Sequence, residues 1–376
     1  MKAWLAPLNA HAGWIFILGS LLVGAWHARQ WRKDRSLAMR LRQAPRQPPS
    51  LEQTPLVSVL VAAWSEAEMI GEHIASFLAL RYPRKELILC AGGPDGTFQL
   101  AGAHRSEQVR VLEQHPGEGK QRALRRCLDE ASGEIIFLTD ADCLLDDEAF
   151  ERTLAPLLLE DEDVATGTSR PLVRQLDHPF VRHQWYTNLF VEARQPAYMT
   201  GILGRNAALR RQALQRVGGF SAEVHTGTDY HTGKQLLAQG YRIRSVPDST
   251  VQTRYPENFR TYWRKQSRWV RNLMVHGPAF GAYHEVAMAL RTGLVGAAML
   301  ILPVASVAAG PFVLAVWGAL LALALLARLR YARFARAYLG IGIPALQYLW
   351  MPAYLFVDVV AWSLALLDVV ARPHRW

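Results

Sequence analysis

Cysteine is scarce in this chain of 376 residues: it has three, Cys90, Cys127 and Cys143. Their spacing matches no metal-binding pattern. The odd count offers no disulfide framework, which excludes a disulfide-stapled fold and suits a reducing, cytosolic domain. Internal repeats and low-complexity tracts are absent too, which excludes a repeat array. Acidic residues are outnumbered, 32 Asp and Glu against 42 Lys and Arg, for a formal net charge of +10. That charge suits a nucleic-acid binder or a membrane protein with basic flanks. Placement decides between them. The Lys and Arg between Arg29 and Arg46 directly follow an apolar run, and Arg328, Arg330, Arg333 and Arg336 follow another. This is the positive-inside pattern, so a membrane is expected as partner and nucleic acid is not.

The middle of the chain lacks long apolar runs. They gather near both ends, so the overall hydrophobic content of 51% conceals a division. Residues 1–26 read as an N-terminal transmembrane helix, on the run His11 to Trp26. Little positive charge precedes that run and much follows it. This favours a retained anchor, with its N-terminus outside, over a cleaved signal peptide. Residues 27–54 read as a basic linker and 55–255 as a globular α/β domain. Residues 256–290 read as an amphipathic interfacial region, and 291–376 as a membrane region of two or three spans. In the interfacial helix Arg260, Arg264, Arg268 and Arg271 share one stripe, with Tyr262 and Trp269 on another, a pattern that suits headgroup contact. Asp358 and Asp368 lie in the last apolar stretch, where an ionised group is costly.

From Pro55 onward strands and helices alternate. Strands are expected at 56–62, 86–91, 109–112, 134–139, 164–167 and 241–246. Helices are expected at 66–80, 120–131, 176–195, 211–217, 230–239 and 257–276. The order βαβα predicts an α/β fold with a mostly parallel sheet and helices on both faces. Within it, Ile135 to Leu138 reads as a buried strand that ends in Asp140-Ala141-Asp142. Ligands of open α/β sheets bind outside the carboxyl ends of the strands. Two carboxylates there can hold a divalent cation, although the same triplet also fills turns.

Taken with its neighbours, this triplet resembles the D-x-D of membrane-bound family 2 glycosyltransferases of the cellulose-synthase-like branch. The resemblance covers about residues 55–275. Val57 to Glu66 is similar to the family's V-S-V-I-V-P-A-Y-N-E, which implies nucleotide-binding positions at Ala63 and Glu66. Cys90 to Thr97 stands at the family's D-D-G-S-T-D-x-T. Asp95 and Thr97 match, but Cys90-Ala91 replaces the aspartate pair, so Ala91 occupies a nucleotide-binding position without its carboxylate. Gly92 and Gly93 either admit the nucleotide to the backbone or make a turn. Gly117 to Leu124 resembles G-K-x-x-A-L, which implies that Lys120 lies near the diphosphate. Gly204 to Phe220 resembles a segment lining the acceptor region, which makes Gly204 an acceptor-binding candidate. Thr226 to Tyr230 stands at T-E-D, with Thr228 for the Glu, and Asp229 maps to the general base; alone it would read as a helix N-cap. Lys265-Gln266-Ser267-Arg268-Trp269 stands at Q-x-x-R-W, with Lys265 for the Gln. There Lys265 and Arg268 are implied donor ligands, and Trp269 an acceptor ligand.

The resemblance implies a GT-A fold, Rossmann-like and mostly parallel, carrying transmembrane and interfacial helices. It implies Mg2+ or Mn2+ held by Asp140 and Asp142, with Asp140 also in the donor site. The implied reaction is an inverting hexosyl transfer from a nucleotide-sugar donor, a UDP-sugar by family habit. The expected setting is a bacterial-type inner membrane with the catalytic domain cytoplasmic. About four spans are few to enclose a polymer channel, so a lipid acceptor is expected. A processive polysaccharide synthase is the alternative. The departures at Ala91, Thr228 and Lys265 leave a non-catalytic nucleotide-binding membrane protein as the reading of another class.

Overall fold

A computed structural model describes residues 11–43, 49–221, 223–224 and 226–371. The first ten residues of the expected anchor, the end of the last expected segment and part of the expected linker lie outside the described residues. The chain forms two compact units. One comprises residues 46–176 and 192–255, the other residues 1–45, 177–191 and 256–375.

In chain order the elements begin with helix α1 (Ala12–Gln43). The first unit then contributes β1 (Val57–Trp64), α2 (Ile70–Leu78), β2 (Lys85–Gly92), α3 (Thr97–Gly102), β3 (Val109–Glu113), α4 (Gly119–Glu130), β4 (Ile135–Leu138), β5 (Cys143–Leu144), α5 (Asp147–Leu159) and β6 (Val164–Pro171). After α6 (Pro179–Glu192) come β7 (Ala207–Arg210), α7 (Arg211–Arg216), α8 (Thr228–Ala238) and β8 (Arg244–Thr253). The chain continues through α9 (Phe259–Ala279), α10 (Tyr283–Ala309), α11 (Pro311–Leu339), α12 (Ala345–Leu349) and α13 (Met351–Ala371).

The strands form one mixed, mostly parallel sheet in the order β3-β2-β1-β4-β7-β6-β8-β5. β1 pairs in parallel with both β2 and β4, and β2 with β3. Side chains alternate between the two faces. Val57, Val59 and Val61 pack with Ile70, Ile74, Phe77 and Phe150 on one face. Leu60, Ile88, Ile136 and Leu138 pack with Ala123, Leu124 and Cys127 on the other. Covering both faces is why these strands read as unbroken apolar runs. All three cysteines are buried and free.

Three strands depart from expectation, the two-residue β5 among them, which was not foreseen. β7, which pairs antiparallel with β4 and β6, spans Ala-Ala-Leu-Arg. That segment has no β-branched residue and is held by its neighbours rather than by propensity. β8 begins and ends later than expected. A register shift against β6 between Thr166 and Thr168 accommodates Pro247 and Asp248, which otherwise read as breakers.

In the second unit α1 runs without interruption through the basic stretch expected to be linker. It packs along α11, where Arg330 Nε donates to Asp34 Oδ2 at 2.7 Å. Among the described residues three helices are long and apolar enough to cross a membrane: α10, α11 and α13. Arg271 departs from the expected basic stripe of α9. It is buried and donates to Asp368 at 3.0 Å. Asp358 is buried on α13 and fully partnered. Oδ1 accepts from Tyr262 at 2.7 Å, and Oδ2 accepts from Arg328 at 2.6 Å and lies 2.9 Å from His183 Nε2.

Candidate active site

The carboxyl ends of β1, β2 and β4 lie side by side because the strands are parallel and in register. Each releases a loop at the same edge, and the acidic residues sit on those loops. After β1, Ser65 takes a left-handed backbone with φ 60° and Glu66 follows. After β2, Asp95 Oδ1 accepts from Thr97 Oγ1 at 2.7 Å, and its Oδ2 accepts from the Ala67 amide at 3.0 Å. Thr97 Oγ1 in turn accepts from the Glu66 amide at 2.8 Å. Asp95 and Thr97 thus bind the two loops together, and these hydrogen bonds, the Thr97 one foremost, hold the Asp95 carboxyl below the usual range.

Gly92 and Gly93 serve chain packing. A Cβ on Gly93, which has φ +121°, would meet the Ser65 amide and hydroxyl at 2.7 Å. A Cβ on Gly92 would strike the Gln114 carbonyl and the Trp64 ring. Ala63 and Ala91 face each other in the β1–β2 register, both buried. Neither offers a polar side chain.

Lys120, at the start of α4, joins the two carboxylate sites. Its Nζ donates to Asp140 Oδ1 at 2.7 Å and to Asp229 Oδ1 at 3.2 Å, across 109 residues of sequence to the latter. Burial opposes its charge, but the two carboxylates outweigh burial and hold it well above the usual ammonium range. Asp229 lies in the first turn of α8, whose N-cap is Gly227. It is therefore not the cap; its carboxylate turns to Lys120. Gly204 sits behind it, so close that a Cβ there would overlap the Asp229 carboxylate.

The acidic cluster carries more negative charge than its cations balance. Burial, then Asp142, push Glu66 up to about 7, with Asp140 and Asp95 adding to the effect. Donor atoms of Asp140, Asp142 and Cys143 all lie within 4.8 Å of one another. The Cys143 thiol is buried, and burial followed by Asp142 and Asp140 pushes it far up. The two carboxylates offer hard oxygen donors, which fit Mg2+ or Mn2+.

Arg205 was missed in the sequence. Burial opposes its charge, but Asp140, Cys143 and Asp142 outweigh it and raise the guanidinium further. No motif singled it out. The signal was its place two residues before a strand that was not foreseen. Lys265, Arg268 and Trp269 belong to α9 in the second unit. Arg268 is exposed there, and the Trp269 ring lies 5.5 Å from that of Trp362.

A mixed Rossmann-like sheet with acidic loops at its carboxyl edge defines a GT-A fold. It is shared at a TM-score of 0.52 and 22% identity with the mannosyltransferase PcManGT from Pyrobaculum calidifontis, solved in complex with GDP-Man and Mn2+, over 93% of this chain and 99% of that one. The family model Glycosyltransferase like family 2 matches residues 54–272, more than half of the chain, and the protein belongs to that family. Curated relatives include a probable glycosyltransferase, YdaM, of Bacillus subtilis, 23% identical over 61% of this chain and 58% of its own length. Another is the poly-beta-1,6-N-acetyl-D-glucosamine synthase of Staphylococcus epidermidis, 24% identical over 58% of this chain and 54% of its own. The chain spans little more than half the length of these relatives.

Proposed function

We propose that this protein is an inverting glycosyltransferase. It moves a sugar from a nucleotide diphosphate sugar, in the first place a UDP-sugar, to a lipid acceptor at the cytoplasmic face of a bacterial-type inner membrane. The observation that carries this reading is the Lys120 bridge, in which one ammonium group donates to both Asp140 and Asp229. An inverting transfer needs that pair of tasks close together: one carboxylate at the leaving diphosphate and another at the incoming hydroxyl.

Asp140 and Asp142 would hold Mg2+ or Mn2+. Bound there, the ion supplies Lewis-acid neutralisation of the departing nucleoside diphosphate. Asp229 takes the proton of the acceptor hydroxyl as its oxygen bonds to the anomeric carbon and the bond to the diphosphate breaks. Lys120 holds both carboxylates in place and supplies positive charge beside the diphosphate. Gly204 leaves the space behind Asp229 in which its carboxylate is seated. Lys265 and Arg268 are assigned to the donor and Trp269 to the acceptor. Glu66, Asp95 and the backbone at Ala63 and Ala91 are assigned to the nucleotide.

The test is nucleotide release from a panel of UDP- and GDP-sugars with Mg2+ or Mn2+. Turnover is expected in the parent, with loss of at least about 100-fold in Asp229→Ala. Equal turnover in that variant would remove Asp229 as the base. A processive polysaccharide synthase is the second reading, favoured by the name of the Staphylococcus epidermidis relative. A long polysaccharide without glycolipid, made by purified protein offered lipid acceptors, would decide for it.

A further inference from the structure

The chain at Arg205 is pinned near the acidic cluster, yet its guanidinium forms no hydrogen bond or ion pair with it. In the β4–β7 ladder Leu138 is opposite Ala207. Beyond that pair both chains leave the ladder at the same end, Asp140 two residues after Leu138 and Arg205 two residues before Ala207. The residues on either side are pinned. Gly204 is seated against the Asp229 carboxylate. Asn206 is fully buried, donates to the carbonyl of Thr168 at 3.1 Å and to Ser249 Oγ at 3.0 Å, and accepts from Thr153 at 2.9 Å. Asp140, Cys143 and Asp142 act on the guanidinium electrostatically. Among the described residues, however, Arg205 forms no hydrogen bond or ion pair. A guanidinium has five donors in a planar fork that matches phosphate oxygens. Bonded to neither carboxylate, the fork remains for an incoming oxyanion.

We infer that Arg205 is a ligand of the donor's diphosphate, a further cation that joins Lys120 in stabilising the leaving group. This rests on the reading that a nucleotide diphosphate sugar is the donor. The competing role is that of a counter-ion, which holds the Asp140 and Asp142 carboxylates together and touches no ligand.

The two roles separate in binding measurements on full-length protein in nanodiscs. Mn2+ alone is titrated by paramagnetic resonance, and UDP, GDP and UMP are titrated with Mn2+ by calorimetry. The proteins compared are the parent, Arg205→Met and Arg205→Lys. Arg205→Met is expected to weaken UDP or GDP by about 10- to 100-fold, to weaken UMP less, and to leave Mn2+ binding as it is. Arg205→Lys is expected to recover part of the loss, because it restores the charge but not the fork. Unchanged diphosphate affinity with tighter Mn2+ binding would make Arg205 a counter-ion and overturn the inference. Loss of Mn2+ binding in both variants would assign Arg205 to the architecture of the site, with the same consequence. A parent that binds neither UDP nor GDP would overturn the proposed function itself, and this inference with it.

Discussion

Gly204 is the wall against which Asp229 rests: the backbone of one leaves no room for a side chain beneath the carboxylate of the other. A methyl group at position 204 would have to displace the carboxylate. Misplacing a reacting group by about 1 Å costs on the order of 100-fold in rate. Gly204→Ala is therefore expected to lower kcat by about that factor, while the melting temperature moves by only a few degrees. Parallel measurement of kcat and thermal unfolding checks this. A fully active Gly204→Ala would show that Asp229 does not need its observed position.

Divalent metal should stabilise the folded protein through Asp142. A ligand that binds only the native state raises stability by mass action. Addition of Mn2+ to chelator-treated protein is expected to raise the melting temperature by several degrees. The shift should be nearly absent in Asp142→Asn. An equal shift in both proteins would place the ion elsewhere.

Glu66 predicts a pH dependence of the metal-free protein. Its folded value, about 7, lies above the ordinary 4.5 of the unfolded chain. Folding therefore favours the protonated form. The associated stability is present in full below about pH 4.5 and is lost as pH rises through 7. Denaturant unfolding at pH 5 and pH 8, with chelator present, should show a smaller decline in Glu66→Gln than in the parent. Identical declines would remove Glu66 as the source.

Asp358 should be indispensable to the membrane unit only while Arg328 remains. Removing one member of a buried ion pair strands the other and costs about 3–5 kcal/mol, whereas replacing both with apolar groups is often neutral. Asp358→Leu is expected to unfold at much lower temperature in detergent. The double variant Asp358→Leu, Arg328→Met should recover most of the loss. Additive losses in the double variant would mean that the pair is not coupled.

The local elements of the sheet were legible because their causes are local. β1, β2 and β4 are short apolar runs bounded by turn residues, and α4 has an apolar stripe at helical spacing. The acidic positions 140, 142 and 229 could also be read, since they follow strand or helix boundaries in a recognisable motif. β7 could not be read, because its four residues carry no strand preference and become a strand only between β4 and β6. Its pairing with β4 carries Arg205 to the end of the sheet at which β4 releases Asp140.

The sequence by itself determined the division into apolar ends and an α/β middle. It also determined the family motifs, including the missing carboxylate at Ala91. Tertiary structure decided which of these residues meet. Lys120 between Asp140 and Asp229, Gly204 behind Asp229, and Asp358 among Tyr262, His183 and Arg328 are contacts across long stretches of chain. The physical reason is charge. A buried or crowded ionic group must find a partner or shift its protonation. Which partner it finds depends on the packing of whole strands and helices, and no spacing along the chain records it.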